Sequence, residues 1–213
     1  MNKVYIVAAK RTAIGKFGGS LAGVTAAEMA SLVIKNIISE TGINPANLDE
    51  VVVGNILSAG QGQGVARQAS IRAGVPSEVP AYGINMICGS GMKAILNAYT
   101  NIKAGEANLI LAGGTENMSA SCYLLPGSMR NGIKMGDFKA VDHMVLDGLT
   151  DAFENVHMGI TAENIAAKYQ ISREQQDAFT YGSQRKAIEA IDNGRFKDEI
   201  VPVEIVTKKE TIV

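Results

Sequence analysis

Cys88 stands in the segment Gly83-Ile84-Asn85-Met86-Ile87-Cys88-Gly89-Ser90-Gly91-Met92-Lys93-Ala94, where an apolar run meets a helical pattern across two glycines. Gly89 and Gly91 permit the tight turn and close backbone approach that a strand-to-helix elbow needs. A thiol at a helix amino terminus sees N–H groups with no partner and the positive end of the helix dipole. Both favour thiolate, and a thiol of pKa ~8.5 can fall to the ~3.5 to 7.5 range. The chemistry would be nucleophilic attack, with the same N–H groups steadying an oxyanion. A second reading stands beside it: free cysteine is among the most buried residue types, and one at the end of a strand can be packing alone.

Other candidate segments carry less. Asn55-Ile56-Leu57-Ser58-Ala59-Gly60-Gln61-Gly62-Gln63-Gly64 invites a dinucleotide or phosphate reading, but the GxGxxG pattern would need glycine at Val65, and GxxxxGK[ST] occurs nowhere. A structural glycine turn before a helix accounts for it better. The two histidines, His143 and His157, are too few for a His-built zinc site. His157 precedes a helix start, where it faces either a pocket or solvent. Met118, Met129, Met135, Met144 and Met158 either line an adaptable apolar pocket or fill gaps in packing.

The elements that must position these residues alternate strand and helix, the pattern of βαβ units. Val4 to Ala8 reads as a buried strand. Thr25 with Glu28 forms a capping box, after which Met29, Leu32, Val33 and Ile37 recur at helical spacing until Gly42. Asn44-Pro45 caps a short turn. A strand over 50–57, a helix over 65–73 closed by Gly74, a strand over 82–87, a helix over 90–103 and a strand over 108–113 follow. Residues 118–158 read as a long irregular stretch, of the kind that usually carries function. Thr161 opens a helix to Tyr169, and Ser172 with Gln175 forms a second capping box for a helix to Asn193. Residues 200–206 are a last strand candidate.

Composition narrows the classes. At 213 residues, with 46% hydrophobic and 19% charged residues, the chain is long enough to bury a core and matches no disordered or fibrous class. A net charge of -1 gives no basic field for nucleic acid or an anionic membrane. Two cysteines make no disulfide framework and point to a cytoplasmic setting, and the run Val4 to Ala9, followed by Lys10 and Arg11, is too short for a signal-peptide core. No stretch approaches the ~20 apolar residues of a membrane span. Residues 1–120 hold 16 of the 23 glycines and 16 charges, whereas the remainder holds 7 glycines and 25 charges. That shift places a boundary near 120: a core domain over 1–119 and a loop domain over 120–213.

Five segments, taken in order, resemble the thiolase family: Lys10-Arg11-Thr12, Gln63 to Ala69, the Cys88 elbow, Gly113-Gly114-Thr115-Glu116-Asn117-Met118-Ser119, and His157-Met158-Gly159-Ile160-Thr161-Ala162-Glu163-Asn164. The last of these and Lys134 to Lys139 resemble the biosynthetic branch. The resemblance implies an α/β thiolase-like fold, here its amino-terminal half: a mixed sheet flanked by helices, with an inserted α-rich loop domain. It implies acyltransferase activity, a reversible Claisen condensation of two acetyl-CoA to acetoacetyl-CoA plus CoA through an acyl-cysteine. On this resemblance Cys88 is the nucleophile, its N–H contributes to an oxyanion hole, and Leu149, His157 and Met158 line the pantetheine and acyl site. CoA is substrate, no metal or prosthetic group is implied, and a homotetramer is expected, with the 118–158 stretch including the loop that mediates it.

The family's activating histidine (Gly-His-Pro), its Asn-Glu-Ala-Phe loop and its second cysteine lie in segments that match nothing here. Neither histidine fits Gly-His-Pro, and nothing suggests that Cys122 replaces the second cysteine. The chain is therefore expected to be an amino-terminal portion, competent only with the other half. In relatives two similar domains stack helix to helix, so a lone half should expose apolar helix surface and self-associate. Two alternatives remain: a non-catalytic fragment or assembly module with an inert Cys88, and a decarboxylating ketoacyl synthase, which the Gly-Gly-Thr-Glu-Asn-Met-Ser and His-Met-Gly segments disfavour.

Overall fold

A computed structural model describes residues 3–206 together with 211 and 212. Its centre is a three-stranded parallel sheet of β1 (Glu50–Gly54), β2 (Ala81–Ile84) and β3 (Ile110–Gly114) in the order β2-β1-β3. Val51 pairs with Ala81 and Leu111, and Gly54 with Ile84 and Gly114. The three strands therefore end level. The segments that follow them, starting at Asn55, Asn85 and Thr115, emerge side by side at the carboxyl edge, where open α/β sheets place their sites.

Alternation along β1 assigns its two faces. Val51 and Val53 join Ala30, Ile34, Ala66, Ala69 and Ala73 in one buried cluster. Ala30 and Ile34 belong to α1 (Ala26–Thr41), Ala66 and Ala69 to α2 (Val65–Arg72) and Ala73 caps α2; the alanines let the helices close on the sheet. Val52 and Gly54 face the other way, toward α3 (Ser90–Ala104): a Cβ on Gly54 would lie 2.5 Å from the Ser90 carbonyl carbon. Right-handed crossovers require this split, because the chain steps from β1 outward to β2 and then back across β1 to β3. Full burial of each β1 valine contributes about 2 kcal/mol, so this strand anchors the domain.

Away from the sheet, α3 presents a second stripe, Met92, Ile95, Leu96 and Tyr99, which is roughly half exposed or more, with Met92 at 70%. The spacing i, i+3, i+4, i+7 is that of a packing face.

The second part of the chain holds a short antiparallel ribbon of β4 (Tyr123–Leu124) with β5 (Val141–Asp142), a π-helical turn over Met144–Leu149, then α4 (Met158–Lys168) and α5 (Arg173–Asp192). Both capping boxes are present: Thr25 with Glu28, and Ser172 with Gln175.

Three sequence expectations are corrected. Val4 to Ala8 is not a buried strand; it has no ladder partner among the described residues, and Ile6 is 81% exposed. A strand exists only through a neighbour's hydrogen bonds. Pairing begins at Arg11, whose N–H donates to the Glu199 carbonyl at 2.8 Å and whose carbonyl accepts from Val201 N–H at 2.7 Å. Arg11 also pairs with the Glu199 carboxylate at 2.8 Å and lies over the Phe196 ring. The helix expected from Thr161 starts at Met158, because the His157 ring serves as its cap. Of the strand expected over 200–206, only β6 (Ile205–Val206) forms, paired antiparallel with β7 (Thr211–Ile212).

Candidate active site

Cys88 is exposed, immediately before Gly89, the cap of α3. The chain reaches it through Ile87 at φ +47°, a left-handed conformation that a β-branched residue rarely adopts. Two side chains hold that turn. Asn85 Oδ1 accepts from Ile87 N–H at 2.9 Å, while buried Ser90 accepts from Met86 N–H at 2.8 Å and donates to the Ile87 carbonyl at 2.6 Å. The helix is seated by an absence of side chains. Gly54 lies under Ser90 and Gly91, and a Cβ on Gly114 would stand 3.0 Å from Gly91 Cα. Only glycine at these positions lets the strand ends approach the first turn of α3 so closely. The arrangement is the elbow expected from the sequence, with an exposed cysteine at a helix mouth.

The other three expected site residues lie in the second part of the chain and are joined to one another. Leu149 ends the π turn, and the next residue, Thr150, forms an antiparallel bridge with His157, which Met158 follows. His157 Nδ1 accepts the Gly159 N–H at 3.0 Å. This bond needs a lone pair on Nδ1, so the neutral ring carries its proton on Nε2, which is left as a donor. His157 and Met158 are both exposed, and Leu149 is half-buried. This unit comes near the sheet domain where Gly148 lies beside Leu57: a Cβ there would lie 3.6 Å from Leu57 Cδ2.

Two features here were not singled out from the sequence. The first is the use of Gly-Gly-Thr-Glu-Asn as a clamp. The Glu116 carboxylate accepts from the Asn55 side-chain amide at 2.8 Å, from Ile56 N–H at 2.8 Å and from Leu57 N–H at 3.2 Å. Asn117 donates to the carbonyls of Ala22 and Val24, and Thr115 Oγ1 to that of Ala26. Nothing local to the motif predicts these partners, which lie about sixty to ninety positions away. The second is the pairing of His143 with Asp147: His143 is buried, with Nε2 3.0 Å from Asp147 Oδ2 across the π turn. Its i, i+4 spacing from Asp147 was the available signal.

A cleft of about 700 Å³ opens separately between the β4–β5 ribbon and the segment joining its strands, lined by Leu124, Leu125, Ile133, Phe138 and Val141 among others. Of the five loop methionines, Met129 lines it.

A family model described as Thiolase, N-terminal domain, matches residues 4–213. The chain is 52% identical over 209 residues to an acetyl-CoA acetyltransferase of Pseudomonas aeruginosa, covering 98% of this chain and 53% of that protein. It is 53% identical over 209 residues to an acetyl-CoA acetyltransferase of Cupriavidus necator, with the same coverage. In three dimensions it is similar to the crystal structure of a thiolase from Ascaris suum in complex with coenzyme A. That match has a TM-score of 0.89 and 38% identity over 93% of this chain and 51% of the other. The chain thus spans about half the length of the relatives it matches.

Proposed function

The chain belongs to the thiolase family, whose amino-terminal domain it carries, and from that premise we propose that it supplies the acyl-accepting half of an acetyl-CoA acetyltransferase. The reaction is the reversible condensation of two acetyl-CoA to acetoacetyl-CoA plus CoA. In the first step the Cys88 sulfur attacks the thioester carbonyl, a bond forms from sulfur to the acetyl carbon, and CoA leaves as the thiol. In the second step a deprotonated acetyl-CoA attacks the acetyl group on Cys88; a carbon–carbon bond forms and the sulfur is released. Splitting the acyl transfer in this way is the gain of covalent catalysis.

The observation that carries this reading is the exposed residue Cys88 at the mouth of α3, behind a left-handed Ile87. The Cys88 N–H would contribute to the oxyanion hole. Leu149 and Met158 would give apolar wall to the pantetheine and acyl group, and His157 would offer Nε2–H to a substrate carbonyl. Proton transfers belong to the family's Gly-His-Pro histidine and second cysteine, which match no residue of this chain, so turnover requires the complementary half. Assembly as a homotetramer and a cytosolic setting complete the reading, supported by the family resemblance and by the two free thiols. No helix among the described residues is long and apolar enough to cross a membrane.

The test is direct. Incubation with acetyl-CoA should add one acetyl group by intact mass, and Cys88→Ser should abolish it. Absence of an adduct would leave an assembly module as the better account.

A further inference from the structure

Glu116 ties the segment leaving β3, beside the Cys88 elbow, to the segment leaving β1, which runs beside Gly148. Behind it, Gly114 lies under Gly91 in the first turn of α3, and Thr115 N–H donates to the Gly54 carbonyl at 3.0 Å. In front, its carboxylate gathers the Asn55 amide and the Ile56 and Leu57 N–H groups, so the chain leaving β1 is held at three points. Leu57 is only 3% exposed, and Gly148 lies beside it, near enough that a Cβ on Gly148 would stand 3.6 Å from Leu57 Cδ2. Leu149 follows Gly148 directly, and the Thr150–His157 bridge extends the same unit to His157 and Met158. All three of the carboxylate's bonds are to donors within the protein. A carboxylate can accept at both oxygens, whereas a glutamine of the same volume accepts at one and points an NH₂ donor at a donor.

We propose that Glu116 is a positioning residue for the thioester pocket: by holding Asn55–Leu57 it sets where Leu57 seats the Gly148–Leu149 turn relative to the Cys88 elbow. The inference rests on the acyl-transfer reading above for its functional consequence, though not for its structural one. It predicts a split that simple loss of stability would not produce. In Glu116→Gln the acetyl-CoA concentration for half-maximal Cys88 acetylation should rise about tenfold, while the saturating rate changes less than about threefold. Iodoacetamide, which needs no pantetheine wall, should alkylate Cys88 at an unchanged rate.

Asp49→Asn is the control. Asp49 also receives two main-chain N–H groups, those of Asn108 and Leu109, but at the opposite end of the sheet. It should destabilise to a similar extent and leave half-saturation unmoved. If Glu116→Gln does not fold, Leu57→Ala, which removes the seat itself, should show the same rise. Unaltered half-saturation in Glu116→Gln, or an equal rise in Asp49→Asn, overturns the proposal. Should the parent protein not be acetylated at all, acyl transfer fails as a reading. Amide exchange then decides the positioning role: faster exchange in Glu116→Gln at both 55–57 and 144–150 supports it, and faster exchange at 55–57 alone overturns it.

Discussion

Ile87 concentrates the cost of the site at one residue. A left-handed β-branched backbone costs on the order of 1–3 kcal/mol and persists only where its surroundings over-determine it. Here those surroundings are Asn85 and Ser90. Ser90→Ala strips the acceptor from Met86 N–H and the donor from the Ile87 carbonyl. It should lower stability by about 1–2 kcal/mol, measured by denaturant titration. With the turn loosened, acetylation of Cys88 should slow about tenfold or more, because small misplacements of a nucleophile are expensive. A stable Ser90→Ala protein acetylated at the parent rate would show that the serine does not hold the elbow. At this scale the turn at Cys88, Gly89 and Gly91 was legible because a strand-to-helix elbow is set by neighbouring residues. The roles of Glu116 and Gly54 were not, because their partners lie far along the chain, and the glycine stretch after β1 drew attention to phosphate patterns instead.

The helices and strands were legible to the extent that their signals are local. Both capping boxes, the α1 stop at Gly42 and all three parallel strands follow from residues within a few positions. Val4 to Ala8 failed because an apolar run does not carry its own neighbour, and α4 was entered late because imidazole is an uncommon cap. Two predictions belong at this scale. Gly54→Ala should cost about 3 kcal/mol or more, since the new methyl meets helix backbone, whereas Gly113→Ala, with open space around it, should stay within about 0.5 kcal/mol. Equal thermal midpoints would show that the strand ends and α3 are not closely apposed. The second concerns acid. The Thr25 hydroxyl, then its N–H, and the more distant Arg72 hold the Glu28 carboxyl below its usual range. The N–H groups of Asn108 and Leu109 do the same for Asp49. A depressed pKa contributes stability above the ordinary carboxylate value and loses it as pH falls through the folded one. Thr25→Ala should therefore cost about 1 kcal/mol at pH 7, and the deficit should narrow below about pH 4.5 as Glu28 protonates. A deficit independent of pH would assign the cap to the hydroxyl alone.

Across the whole molecule the most consequential surface is the outer stripe of α3. Met92, Ile95, Leu96 and Tyr99 are spaced as a core face yet lie open to solvent, and contiguous apolar surface of this kind marks an interface. The purified chain is expected to self-associate in sedimentation and to bind a hydrophobic dye, and Ile95→Lys should reduce both. A single monomeric boundary with no dye binding would count against a missing neighbour.

The stitch between Arg11 and Glu199 has a temporal meaning as well. Its partners are 188 positions apart, so closing it forfeits more chain freedom than any contact within a βαβ unit. It should form last during refolding, after the sheet has set, and be the first tie to let go under gentle heating. The amino-terminal segment would then come loose as a tether while Cys88 and its elbow stay in place.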